Sequence, residues 1–412
     1  YSEMYRIDGG SQQGRNDGAK LGHVTLKIYE HGHVAHYHRS YAECSKEGGP
    51  SAPPVVLRPH VKTTNIKNIF VDMRHAWTEE LNVAPSGAVD EFRRKKARND
   101  YPVMALWEMG LRGLRVPLQD LMDTATRRRM EIMFGVGHKF HIYRYGVPTK
   151  IEIETIKKHF SIIEELELVL GWETIDEQVS EIQFLKDETR LPIVLSRVNR
   201  NDASKTSGGK YNHLISHGFT IAEIPEITSF IRKNPLLLDG FQFTIPRSVN
   251  PWNAGKELQL FKNDTNCKPT LYVKSTEASP AQRFDDEITN AIRFSEAVLS
   301  GIGFDIDIIL DTFDDADRGY FTRTGLIDRR FNPRIAGQLI SELIRQLDEG
   351  TWKAVESESP KVINDKGNII RIGTISEISR DAKWYDPQTG LSGDVASISK
   401  VASKLLVIKS RQ

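Results

Sequence analysis

Apolar positions keep two different periods along this chain. In LGHVTLKIYEHGHVAHYHRSY (21–41) two alternating runs flank a turn at His31 and Gly32, which predicts a β-hairpin. Residues 1–20 and 44–54 are polar and rich in Gly or Pro and read as loops, and NIKNIFVDMR (65–74) reads as another strand. From about residue 100 short apolar runs alternate with helical periodicity. Strands are expected in 110–121, 138–146, 166–172, 191–198, 217–224, 239–246, 270–277 and 305–313. Helices are expected between them, RFDDEITNAIRFSEAVLSG (283–301) and NPRIAGQLISELIRQLDEG (332–350) being the most strongly patterned. The tail returns to β in 368–375 and 403–410.

Eight strands alternating with helices predict an α/β fold, a (β/α)8 TIM barrel. The competing doubly wound sheet lacks the glycine-rich loop it would need after the first strand. The domain reading is an N-terminal β-rich segment (1–98), the barrel (99–350), and a C-terminal β segment (351–412) packing with the N-terminal strands as an accessory β domain.

Alternation also assigns directions. Ile306, Ile308 and Leu310 form the helix-facing set of the last strand, so Asp307, Ile309 and Asp311 point to the axis. The same parity turns Tyr272, Lys274 and Thr276 inward. It does so too for Arg115, for Glu167 with Val169, Gly171 and Glu173, and for Ser196; His141 and Tyr143 follow if Phe140 and Ile142 face out. Arg115, His141, Glu173, Lys274 and Asp311 are expected to form a polar ring, with Lys274 meeting Asp311 at the C-terminal mouth.

DIDIILDTFDDADRGY (305–320) then carries four aspartates in seven residues, Asp311, Asp314, Asp315 and Asp317. The last three lack the glycine and distal glutamate of an EF-hand loop, so they read as a solvated or sugar-binding loop and not a cation site. Trp172, Trp252, Tyr320 and Phe321 fall in the same predicted loops, and rings beside carboxylates suit a sugar. His36 and His38 share one face of the hairpin, but no carboxylate or cysteine follows at a helpful spacing, so no metal site is assigned. No cofactor is expected.

Lys and Arg number 56 against 55 Asp and Glu, a net charge of +1, which gives no electrostatic case for nucleic acid or an anionic membrane. Two cysteines, Cys44 and Cys267, make no disulfide framework. No apolar run approaches the ~20 residues of a membrane span, and no signal peptide is visible. The expectation is a cytoplasmic protein acting on a small-molecule or oligosaccharide substrate. The chain opens at Tyr1, which reads as a fragment or processed product.

With DTFDDADRGYFTRTGLIDRRFNPR (311–334) and WYDPQTG (384–390), this plan resembles carbohydrate-active (β/α)8 enzymes with an attached β domain. In the large retaining clan of that group an Asn-Glu pair ends the fourth strand and a Glu ends the seventh. Counted from the strand at 111, the fourth strand here ends in SRVNRND without a Glu, and Glu277 follows the seventh out of step with Thr276. Residues 5–41 also resemble the last strands of a calcineurin-like metallophosphoesterase, whose metal-binding motifs are absent here.

Three functions follow. In a glycosidase-like hydrolase, Asp311 and Glu173 would be the carboxyl pair, Glu277 their substitute, Lys274 and Arg115 would orient substrate, and His141 would shuttle protons. In a lyase, Lys274 would form a Schiff base. The third is a non-catalytic barrel within a larger protein.

Overall fold

The computed structural model describes the backbone strands Met4–Asp8, His23–Glu30 and His33–Ser40, then residues 66–73, 77–78, 80–82, 96–199, 216–275, 286–315, 324–348, 350–357, 359–401 and 403–411. Residues 1–64 belong to a unit of their own. Its three strands form an antiparallel sheet in which the expected hairpin pairs Tyr29 with Val34 and His23 with Ser40. The side chains of His36 and His38 lie outside the described residues.

The second unit is a closed barrel of eight parallel strands. These are β1 (Ile69–Asp72), β2 (Gly113–Pro117), β3 (Lys139–Tyr145), β4 (Ile163–Leu170), β5 (Ile193–Asn199), β6 (Gly240–Ile245), β7 (Lys268–Val273) and β8 (Asp307–Leu310). Pairing of β4 with β5 and of β8 with β1 closes the ring.

Two expectations about the strands are corrected. Ile69–Asp72, assigned to the N-terminal β segment, is the first barrel strand, between β8 and β2. It is four residues long and wholly buried, and the hairpin strands Glu80–Asn82 and Lys96–Arg98 intervene before the first helix, α1 (Tyr101–Met109). That excursion hides the βα rhythm. Conversely, 217–224 gives no barrel strand. Ser216–His217 pairs antiparallel with the end of β5, and Gly218 then turns the chain at φ +97°. Thr220 and Glu223 make a reciprocal capping box, after which Pro225 lies in the first turn of a helix, Ile224–Lys233.

Outside the ring lie helices such as α2 (Pro251–Thr265), α3 (Glu287–Phe304) and α4 (Ile335–Leu347). Helix-facing strand residues, among them Leu114, Val116, Leu166, Leu168, Leu271, Ile306, Ile308 and Leu310, join the helices in one continuous core.

An antiparallel sheet follows: β9 (Trp352–Ala354), β10 (Lys361–Asn364), β11 (Asn368–Gly373), β12 (Lys383–Tyr385), β13 (Ser392–Gly393) and β14 (Leu406–Arg411), in the order β9-β10-β11-β14-β12-β13. All six strands come from the C-terminal segment. Trp352, Val362, Ile370 and Val407 share the barrel's core cluster. The approach is close, since a Cβ on Gly303 of α3 would stand 3.0 Å from that of Ala354. No described helix is long and apolar enough to cross a membrane.

Candidate functional site

Strand registers stagger the barrel so that alternate strands share a level. Below an uppermost set made by Pro117, Val169, Thr244 and Asp311, the inward residues fall into four layers. Asp72, Tyr143, Ser196 and Tyr272 form the first, and Arg115, Glu167, Gln242 and Ile309 the second. Phe70, His141, Val194 and Thr270 form the third, and Gly113, Glu165, Gly240 and Asp307 the fourth.

Hydrogen bonds follow this stacking. Arg115 binds Glu167 through two parallel contacts (Nε–Oε2 2.7 Å, Nη2–Oε1 3.0 Å) and reaches up to Asp72 Oδ2 at 3.2 Å. Tyr272 Oη donates to the same Asp72 oxygen at 2.6 Å. The Arg115 guanidinium lies 3.8 Å from the Tyr143 ring centroid. Below, His141 donates from Nδ1 to Glu165 (2.5 Å) and from Nε2 to Glu167 (2.9 Å). At the base, Lys268 Nζ lies 2.5 Å from Asp307.

The charge states follow from these partners. Burial alone would push the His141 imidazole down, but Glu165 and Glu167 outweigh it and hold it up at about 9, so it is an imidazolium at neutral pH. Burial would lift Glu167, yet Arg115 and His141 hold it well below the usual carboxylate range. Asp307 goes the other way: burial and neighbouring Glu165 raise it to about 7 against the pull of Lys268.

One histidine at the mouth was not singled out by the sequence reading. His217 packs edge-on to Tyr272 (centroids 4.9 Å apart), and its Nδ1 lies 2.8 Å from Gln242 Nε2 and 3.9 Å from Glu167. Thr244 Oγ1 donates to the His217 carbonyl at 2.6 Å. Gly218 is required next to it, because a Cβ there would stand 2.0 Å from Thr244 Oγ1. The signal was SHGF, buried in what read as a continuous strand.

Of the residues expected to form one ring, Arg115 and His141 do share Glu167, but as fully buried members of the ion network, not as groups open to substrate. Glu173 stands apart on a 3-10 turn beyond β4, its side chain 74% exposed and 3.4 Å from Arg197, which also holds Glu223. Asp311 is buried, and its Oδ2 accepts from Ser275 N (3.0 Å) and Ser275 Oγ (3.2 Å). Lys274, its neighbour one step beyond the last β7–β8 pair, donates its backbone N–H to Ile245 and accepts from Arg293 Nε at 2.8 Å.

Trp252 is not at the mouth. It sits in the first turn of α2, fully buried against Phe304 (centroids 4.6 Å), because Asn250 and Pro251 begin a helix where a loop was expected. Asp315, expected in a solvated loop, is buried and ties that loop down by accepting from Gly325 N (2.8 Å) and Arg334 Nε (2.9 Å). Asp314 bridges to Ile327. Glu277, Asp317 and Tyr320 lie outside the described residues. Among the described residues, no cluster of three or more His, Cys, Asp or Glu is arranged to hold a metal ion.

The corrected strand count changes which strands the carboxyls follow. With Ile69–Asp72 as the first strand, Glu173 follows the fourth, ending at Leu170, and Glu277 follows the seventh, ending at Val273. SRVNRND falls at the end of the fifth strand, not the fourth. Trp172 stands before Glu173 where that clan has Asn, and its indole donates to Glu226 at 2.5 Å.

No family model matches the chain, and no curated protein matches it by sequence. Among solved structures it is similar to a family 39 glycoside hydrolase from the gut symbiont Bacteroides cellulosilyticus WH2, with TM-score 0.50 and 10% identity over 97% of this chain and 93% of that one. A putative dihydrodipicolinate synthetase from Pseudomonas aeruginosa (TM-score 0.32, 9% identity, 60% and 70% coverage) is more distant. So is a GH5_18 protein from Streptomyces cattleya solved with GlcNAc (TM-score 0.20, 12% identity, 53% and 82% coverage). At these identities the first likeness establishes the shared barrel with its attached β domain. None of the three supports the metallophosphoesterase resemblance of residues 5–41.

Proposed function

We propose that this chain hydrolyses glycosidic bonds at the C-terminal mouth of its barrel, with Glu277 as nucleophile and Glu173 as acid/base. What supports this reading is the strand count: in sequence, Glu173 comes three residues after Leu170, the end of the fourth strand, and Glu277 four after Val273, the end of the seventh. Those are the carboxyl positions of the retaining clan that the sequence resembles. Glu277 attacks the anomeric carbon while Glu173 protonates the departing oxygen; Glu173 then deprotonates the water that releases the sugar.

Glu173 must carry a proton to begin. Beside it, Arg197 is shared between Glu173 and Glu223. His217, Tyr143 and Tyr272 form the floor, and the ion network beneath fixes Tyr272 through Asp72. Arg115 and His141 serve as that foundation and touch no substrate. Asp311, bonded to Ser275, steadies the end of β7 from which residues 276 and 277 continue.

A binding-only barrel is the second reading. It is favoured by the exposure of Glu173 and its pairing with Arg197, since a general acid is ordinarily kept protonated by burial. Nitrophenyl glycosides of the common pyranoses separate the two. Turnover should fall by about 10²–10⁴-fold in both Glu173→Gln and Glu277→Gln, with fold retained by circular dichroism. Activity indifferent to both changes would refute the assignment, and no turnover of any glycoside by the unaltered chain would leave the binding module standing.

A further inference from the structure

An open groove lies beside the N-terminal ends of β1 and β8, on the face of the barrel opposite the mouth. Its walls are α2, the C-terminal end of α3 and the strand β9. Its volume is about 1050 Å³, above the ~300–1,000 Å³ of sites built for one small molecule. Ile66, Leu260 and Ile302 give it apolar lining, and Leu260 is 68% exposed. Among the described residues, Lys67, Lys256 and Lys353 around the groove pair with no carboxylate. Asp305 is held by Lys262 (Oδ2–Nζ 2.6 Å), so Glu356 alone opposes the three lysines and the described lining keeps a charge of +2.

The groove also runs along an unused sheet edge. β9 is the end strand, and β10 takes only one of its sides. Val355 donates to the Lys361 carbonyl at 3.0 Å, and Lys353 stands opposite Ile363. Antiparallel ladders alternate, so Lys353 and Val355 aim their backbone groups at β10 while Trp352 and Ala354 aim theirs away from it. Among the described residues, nothing bonds to those outward N–H and C=O groups.

We propose that this groove docks an extended, acidic segment of a partner protein, which adds as a strand to the outer edge of β9. The segment's backbone satisfies Trp352 and Ala354. Its alternate apolar side chains cover Leu260 and Ile302, and its carboxylates meet Lys67, Lys256 and Lys353. Shortness and a lysine ordinarily guard an edge against chance pairing. Lys67 and Lys256, on other elements, turn that guard into a preference for acid. A second copy of this chain fits less well, because joining β9 to itself about a two-fold axis brings the same lysines together. A nucleic acid meets the lysines but leaves the strand edge unpaired.

The test uses the full chain and a fluorescein-labelled peptide, Glu-Val-Glu-Val-Glu-Val-Glu, followed by anisotropy. Glu-Pro-Glu-Pro-Glu-Pro-Glu is the control, equal in charge but unable to form a ladder. The valine peptide should bind roughly 10-fold or more tighter than the control and should slow hydrogen exchange in 352–356. Reversing two charges together, Lys256→Glu with Lys353→Glu, should weaken it roughly 10-fold. Ala354→Pro should weaken it as well while keeping the pairing with β10, since the lost N–H faces outward. Should Ala354→Pro fail to fold, the charge-reversed variant and the exchange pattern still decide. Equal binding of both peptides, indifference to the charge reversal, or no binding below about 1 mM would overturn the proposal. Dimerisation in sedimentation that Ala354→Pro abolishes would assign the edge to a second copy and overturn it equally. None of these readouts depends on glycoside turnover, so the docking groove stands or falls apart from the catalytic assignment.

Discussion

Asp307 and His141 make the stability of this barrel depend on pH. Both bind protons more tightly folded than unfolded, His141 at about 9 against an ordinary ~6.5 and Asp307 at about 7 against ~3.9. A raised folded pKa gives stability that is complete below the unfolded pKa and disappears as pH rises through the folded one. Asp307 therefore withdraws its share between about pH 4 and 7, and His141 between about pH 6.5 and 9. Glu165 and Glu167, both lowered, act oppositely and withdraw theirs on acidification below about pH 4. Denaturant titrations should show stability declining from pH 6 to 9, and Asp307→Asn should flatten the part below pH 7; an unchanged slope would show that Asp307 is not the group involved. Arg115→Met should cost about 3–5 kcal/mol, because Glu167 and Asp72 would keep buried charge without a guanidinium. A Tm within 2 °C of the unaltered protein, on the order of less than 1 kcal/mol, would contradict that. At this scale alternation was informative: Arg115, Glu167, Tyr272 and Asp307 point inward as their parity says. Which of them meet was not legible, since Glu167 joins Arg115 and His141 only through registers between strands far apart in sequence.

Whole elements were legible where they were long and periodic. Helices 283–301 and 332–350 and seven of the barrel strands lie where patterning put them, because burial of one face imposes its period on the sequence. β1 escaped, being only four residues long, and 217–224 misled, because a left-handed glycine and a capping box turn apolar residues that could have continued a strand. That miscount also put Glu173 after the third strand and SRVNRND at the end of the fourth, where the structure has the fourth and the fifth. Gly218→Ala should cost more than ~1 kcal/mol, combining a positive φ with overlap on Thr244, and should displace His217. If melting and sugar binding both survive Gly218→Ala intact, His217 is not held in the way described.

Across the whole second unit, the barrel and the C-terminal sheet share one core. A Cβ on Gly303 would stand 3.1 Å from Val362 Cγ1 across the boundary, and Trp352 Nε1 donates to the Leu347 carbonyl at 2.9 Å. Barrel and sheet should therefore melt in one transition. A chain ending at Asp348 would expose the faces of α3 and α4 that the sheet covers, and should aggregate or melt at least 10 °C lower, roughly the effect of 3 kcal/mol or more. Two separated transitions in the intact chain would show the sheet to be an independent module. A β-rich tail after the barrel was readable from 368–375 and 403–410, but its seat on α3 was not, because an antiparallel sheet's partner leaves no periodic trace in its own sequence.

The meeting of β8 with β1 sets a schedule for synthesis. Only Ile308 with Ile69, Ile309 with Phe70 and Leu310 with Val71 are in register there, and Asn68 reinforces the join by donating to Gly301 (2.8 Å) and Ile306 (2.9 Å), 238 positions away. A ribosome adding ~5–20 residues per second needs tens of seconds to travel from one partner to the other. Throughout that interval β1, apolar in three of its four residues, has no neighbour on one side. The nascent chain would therefore spend that interval as an unfinished ring with one sticky border, a natural place for a chaperone to act.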